Sequence, residues 1–198
     1  MNFLGHACLS FHHKEILLGN MISDFVKGKK QYDFPIPIQK GIQLHRAIDT
    51  FTDDHPDVKA MAEHFRSDYR LYAGAIVDVV MDYFIANDKN QFPSSSVLEE
   101  FSKEVYTSLD EFKAYFPLRF AGMFPYMQSQ DWLYNYRFER GIKNSMEGLK
   151  RRARYINEME TAFDIFNANK DFLQDRFNEF YPSVKIFAVR KMHDLLNS

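Results

Sequence analysis

The chain has 198 residues with 45% hydrophobic content, enough to bury one sizeable core, and its net charge of −2 excludes global steering toward nucleic acid or anionic membrane. Twenty Phe and eleven Tyr against eight Gly and seven Pro point to aromatic-packed helices rather than a turn-rich β protein. No apolar run is long enough to span a membrane, MNFLGHACLSF lacks the features of a secretory signal, and a lone cysteine, Cys8, excludes an intramolecular disulfide, so a cytoplasmic location is expected.

Helical periodicity runs through the chain, and the prolines punctuate it into about seven or eight segments of one all-α bundle, a single domain over residues 1–198. The first predicted helix spans roughly residues 2–27, with a break near His12–Lys14 and an end at Gly28. After the polar loop KGKKQYDFPIP, a second runs from about Gln39 to Thr52. Asp54 is placed to cap a third, starting after Pro56, which breaks near residues 66–70 and continues through AGAIVDVVMDYFI. Ser94–Ser96 open a helix reaching toward Tyr115, with Glu99 placed for a capping box. A helix from about Gln130 to Leu149 and a long C-terminal pair complete the set.

Three polar pairs, each spaced i,i+4 and so on one helix face, stand out in apolar surroundings: Asn20/Asp24, His45/Asp49 and Asp78/Asp82. Asp78 and Asp82 are the only charged residues between Ala75 and Ile85, and two carboxylates buried together call for a cation, either a metal or an arginine such as Arg46 or Arg70. His45 lies one turn from Asp49, beside the stripe of Leu44, Ile48 and Phe51; with the other pairs it reads as a metal ligand, and alone as an ordinary hydrogen-bonded pair. Asp24 could complete a His/Asp site or bond nearby backbone or Lys27. His12, His13, His55, His64 and His193 stand in polar contexts and read as surface residues. A cysteine-free His/carboxylate set suits Mn²⁺, Mg²⁺ or Fe²⁺, and no phosphate-binding glycine loop or nucleophile motif competes with metal-assisted hydrolysis. Lys27, Lys29 and Lys30 form one basic cluster, and Lys150, Arg151, Arg152 and Arg154 another; each is either a solvated face or a contact for an acidic partner.

The motifs NFLGH, LLGNMISDFVKG, GIQLHRAIDTFTD with HPDV, and IVDVVMDYF, followed by QDWLYNYR, GLKRRAR and RFNEFYP, resemble those of the acyl carrier protein phosphodiesterases over nearly the whole chain. The resemblance implies a helical, HD-type metal-dependent phosphohydrolase that removes 4′-phosphopantetheine from acyl carrier protein, with Mn²⁺ as the usual metal. It makes His6, Asp24, His45 and Asp78 candidate ligands and Asp49, Asp82 and Arg46 candidate catalytic or supporting groups. Lys27, Arg151 and Arg152 would contact the phosphate or the acidic carrier. Two positions depart from the pattern: His45 is followed by Arg46 rather than by an acid, and Tyr83 stands where family members place a histidine. The alternatives are a related enzyme acting on a small phosphoester or nucleotide, and a carrier-binding module with a degenerate site.

Overall fold

A helix that is apolar all round belongs inside, and α5 (Ala73–Asn87) has that pattern: Ile76, Val77, Val80, Met81, Phe84 and Ile85 are fully buried. The computed structural model describes residues 1–197, and among them it has eleven α-helices and no strand, as expected for an all-α chain. The others are α1 (Phe3–Cys8), α2 (Lys14–Ile22), α3 (Ile36–Asp54), α4 (Pro56–Tyr69), α6 (Ser95–Asp110), α7 (Leu118–Ser129), α8 (Trp132–Asn135), α9 (Glu139–Arg152), α10 (Glu160–Ala168) and α11 (Lys170–Leu196). One continuous cluster of buried apolar side chains joins them. The longest helix, α11, packs along α3 and α4, while α9 packs on α5.

The described residues hold more helices than the expected seven or eight, and residues in the left-handed region make several of the divisions, two of them where breaks were expected near His12–Lys14 and residues 66–70. Phe11 (φ 47°) and His12 (φ 63°) separate α1 from α2, and Arg70 (φ 48°) separates α4 from α5. The helix expected from Gln130 begins instead after Asp131 (φ 43°) and splits into α8 and α9. Proline is the weaker divider: Pro125 lies inside α7 and Pro182 inside α11, each flanked by buried side chains such as Phe124 and Tyr181. Their packing outweighs the local cost of about 3 kcal/mol. His55, not Asp54, caps α4 by accepting from Asp57 N, and its ring packs on Phe51 and Phe180 rather than at the surface. Ser94 does cap α6, but Glu99 is ion-paired with Lys103 instead of closing a capping box.

The tightest helix crossing joins α2 and α3. A Cβ added to Gly19 would lie 2.2 Å from Ile38 O and 2.7 Å from Gly41 Cα; one added to Gly41 would lie 2.4 Å from Ile16 O. Only hydrogen fits at either position, so the two backbones touch, and this contact sets the next residue, Asn20, against α3.

Candidate metal centre

Helices α1, α2 and α3 bring His6, Asn20, His45 and Asp49 together. Asp49 lies between two imidazoles, its Oδ1 at 3.1 Å from His6 Nε2 and its Oδ2 at 3.0 Å from His45 Nε2. The imidazoles are stacked, with centroids 3.9 Å apart. Asp24, from the 3₁₀ turn Ser23–Phe25 that follows α2, places Oδ1 at 3.3 Å from His45 Nε2 with its side chain largely exposed.

The far nitrogen of each imidazole is fixed by one residue. His45 Nδ1 lies 2.7 Å from the backbone oxygen of Asn20, which only accepts, so Nδ1 carries the proton. The Asn20 amide donates to His6 O and Ser10 Oγ, both at 3.0 Å, and this turns its Oδ1 toward His6 Nδ1 at 2.9 Å. His6 Nδ1 is therefore also the donor. Both Nε2 atoms are thereby aimed at Asp49, the arrangement by which outer partners orient metal-binding imidazoles.

His6 Nε2 supplies a direct test of whether the site fits a cation. It is buried and close to Asp49 Oδ1, yet has no hydrogen-bond partner. With Nδ1 protonated, an imidazole lone pair faces carboxylate lone pairs, a contact that repels unless a cation is shared between them. Ligand atoms of His6, His45 and Asp49 all lie within 4.8 Å of one another, and this His/His/carboxylate set fits a divalent metal.

The electrostatics are asymmetric. Burial and the neighbouring His45 push the pKa of His6 down, so it is neutral. Burial also opposes charge on His45, but Asp24 and Asp49 outweigh it and raise its pKa to about 9. Burial pushes the Asp49 carboxyl up, yet the bond to His45 wins and holds it well below the usual carboxylate range. The bond to His45 likewise lowers Asp24. Without metal, His45 is thus a cation at neutral pH and contributes stability that is complete below its ordinary value of 6.5 and lost as pH rises through about 9. A metal must displace that proton. Mn²⁺ affinity is expected to rise with pH up to about 9, with about one proton released at pH 7. Calorimetric titration in buffers of different ionisation enthalpy measures the release, and none at pH 7 would exclude His45 as a ligand.

The aspartates of α5 occupy other positions. Asp78 Oδ1 accepts from the Met1 ammonium at 2.7 Å. Burial disfavours that ammonium's charge, but Asp78 and Asp49 prevail and raise its pKa. Asp82 is fully buried and accepts from the backbone N–H groups of Asn2, Leu4 and Gly5 at 3.2, 2.8 and 3.0 Å, capping α1 from another helix. The cation anticipated between them is therefore, in this arrangement, the ammonium and the N-terminal end of α1. Arg46 donates to Gln31 Oε1 and Val26 O, fastening the segment after Asp24, and bonds none of the cluster. Asp53 escaped the sequence reading although it continues His45 and Asp49 by one more i,i+4 step; burial, Asp78 and Asp49 raise its pKa, which places it beside the same acidic group.

The family model described as Acyl carrier protein phosphodiesterase matches residues 1–184. Proteins of that name from Escherichia coli strains K12 and SMS-3-5 are each 34% identical to this chain over 195 residues, covering 96% of it and 99% of the relative. The chain belongs to the acyl carrier protein phosphodiesterase family. No solved structure matches it.

Within this family member, Tyr83 has no contact with the His/Asp cluster. Its ring packs on Phe84 and Phe166 and lies under Lys170 Nζ at 4.8 Å, so this position, where the resemblance led one to expect a histidine, faces α10 and α11. Lys27, Lys29 and Lys30 are exposed and have no ion pair among the described residues. Arg151 and Arg152 are also exposed, at the end of α9.

Proposed function

We propose that the chain is a metal-dependent phosphodiesterase that hydrolyses the bond between 4′-phosphopantetheine and the serine of holo-acyl carrier protein, giving the apo form. Family membership supports the reaction class, and one observation carries the mechanism: two Nδ1-anchored imidazoles and a carboxylate converge on a buried nitrogen without a hydrogen-bond partner. His6, His45 and Asp49 would hold the ion, with Mn²⁺ the preferred candidate. The bound cation would supply charge neutralisation at the phosphoryl oxygens and acidify water.

The chain's own residues supply the rest. Asn20 holds both rings in the binding tautomer. Asp24, exposed at the edge of the cluster and deprotonated at neutral pH, accepts the proton of the attacking water. The water oxygen bonds to phosphorus, the P–O bond to serine breaks, and the serine oxygen leaves as a hydroxyl after gaining a proton. Asp78 and Asp82 support the site through Met1 and α1. Lys27, Arg151 and Arg152 face the acidic carrier protein and its phosphate. A single domain fits the one continuous core, and a cytoplasmic location fits the lack of any helix long and apolar enough to cross a membrane among the described residues.

The test is to incubate the purified protein and Mn²⁺ with holo-acyl carrier protein and weigh the carrier. Loss of the mass of the prosthetic arm is expected. An unchanged mass with Mn²⁺, Mg²⁺ and Fe²⁺ alike would refute the reading.

A further inference from the structure

A cavity of about 970 Å³ opens between the first residues of the chain, α7, α8 and α9, and contains none of the His6, His45 or Asp49 side chains. One wall is a single face of α9, where Arg140, Asn144, Gly148 and Arg151 follow at steps of four, four and three residues. From Arg140 to Arg151 this face extends roughly 17 Å. The facing wall offers Phe3, Met123 and Trp132 as apolar surface. Among these stand the side-chain amides of Asn2, Gln130 and Asn135. The lining therefore combines apolar and amide groups beside a face of α9 roughly 17 Å long.

The charge in the slot is positive and available. Arg140 and Arg151 have no hydrogen bond or ion pair among the described residues, and Arg152 bonds only its own helix, at Gly148 O. The one carboxylate in the lining, Glu147, is paired with Lys150 at 3.4 Å. The slot also has a direction. Asn87, at the end of α5, donates to Arg137 O, while Arg154 N donates to Tyr72 OH at its start, so α9 runs antiparallel to α5. The Arg151–Arg152 end thus lies toward the half of α5 that carries Asp78 and holds Met1. Asn2 and Phe3 line the cavity, and His6 follows Phe3 by three residues, a rise of roughly 4.5 Å.

We infer that this cavity receives the 4′-phosphopantetheine arm as an extended chain along α9, with its phosphate end toward Arg151 and Arg152 and its two amides against Asn2, Gln130, Asn135 and Asn144. The inference rests on the reaction proposed above. An arm of short hydrocarbon links joined by amides matches the lining, whereas a compact nucleotide would leave much of the length unfilled. Gly148 is the place to block it, because a Cβ there meets open space and its backbone is not left-handed.

Titration of 4′-phosphopantetheine into the full-length protein, with inorganic phosphate and unphosphorylated pantetheine in parallel, tests the inference without turnover. Saturable binding of 4′-phosphopantetheine at least tenfold tighter than inorganic phosphate is expected. Gly148→Trp, with unchanged circular dichroism, should weaken it at least tenfold, and Asn144→Phe serves if that variant misfolds. No saturable binding by the wild type, or equal binding by a folded blocking variant, overturns the inference. Wild-type binding without cleavage of holo-acyl carrier protein overturns the proposed reaction and leaves the cavity assignment standing. Cleavage with KM unaltered in Gly148→Trp overturns the cavity assignment alone.

Discussion

Asp49→Asn is expected to lower turnover of holo-acyl carrier protein by roughly 10²–10⁴-fold, the range for loss of a group acting directly on the reaction. Asparagine keeps the shape of the side chain, so the loss reports charge and ligation rather than packing. Among the described residues only Asp49 pairs with both Nε2 atoms, and without its charge His45 loses one of the two carboxylates that raise its pKa. Metal content should fall in parallel, and in chelator the melting temperature should fall as well, because the metal-free protein loses the His45–Asp49 pair. Full turnover and full metal loading in this variant would remove Asp49 from the centre.

Gly19→Ala should be among the most damaging single-methyl changes in the protein. Alanine is the better helix former by about 0.5–1 kcal/mol, so local preference alone predicts a gain. The added carbon, however, would lie 2.2 Å from Ile38 O and 2.7 Å from Ile42 N, both backbone atoms that cannot rotate away. Separating α2 from α3 costs about 3 kcal/mol or more, which lowers the melting temperature by roughly 6–12 °C. It also draws Asn20 O away from His45 Nδ1, so metal affinity falls with stability. Thermal melts with and without Mn²⁺ separate the two effects. Gly148→Ala is the matched control, because its methyl meets nothing within 4 Å and should be neutral or stabilising. A Gly19→Ala protein as stable as the wild type would show that the crossing is not tight.

Helical periodicity made the all-α architecture legible, and the i,i+4 spacing made His45 and Asp49 partners before any coordinates. The same spacing marked Asp78 and Asp82 as carboxylates in need of a cation without showing what meets them. Spacing reports which face a carboxylate occupies, not which element meets that face, and here the element is the start of α1, some eighty residues away in sequence. His6 had only the family resemblance to recommend it, since α1 is too short to show a period. Asn20 showed in the sequence only as the partner of Asp24 in an i,i+4 pair, and the structure shows it holding both imidazoles, one through its side chain and one through its carbonyl. Backbone acceptors leave no mark on the identity of a residue. The breaks near His12 and Arg70 were expected from the sequence, but not the left-handed backbone that makes them, because no glycine or asparagine marks it.

Helix α1 has six residues, too few to persist in water without outside support. Its existence depends on Asp82, which meets the N–H groups that an isolated turn would leave bare. His6 is therefore delivered to the centre conditionally, whereas His45 and Asp49 share α3 and arrive together. Mass action then makes the dependence mutual. Any ion that His6 helps to bind stabilises docked α1 over undocked, and Asp82, without touching the ion, sets part of its affinity.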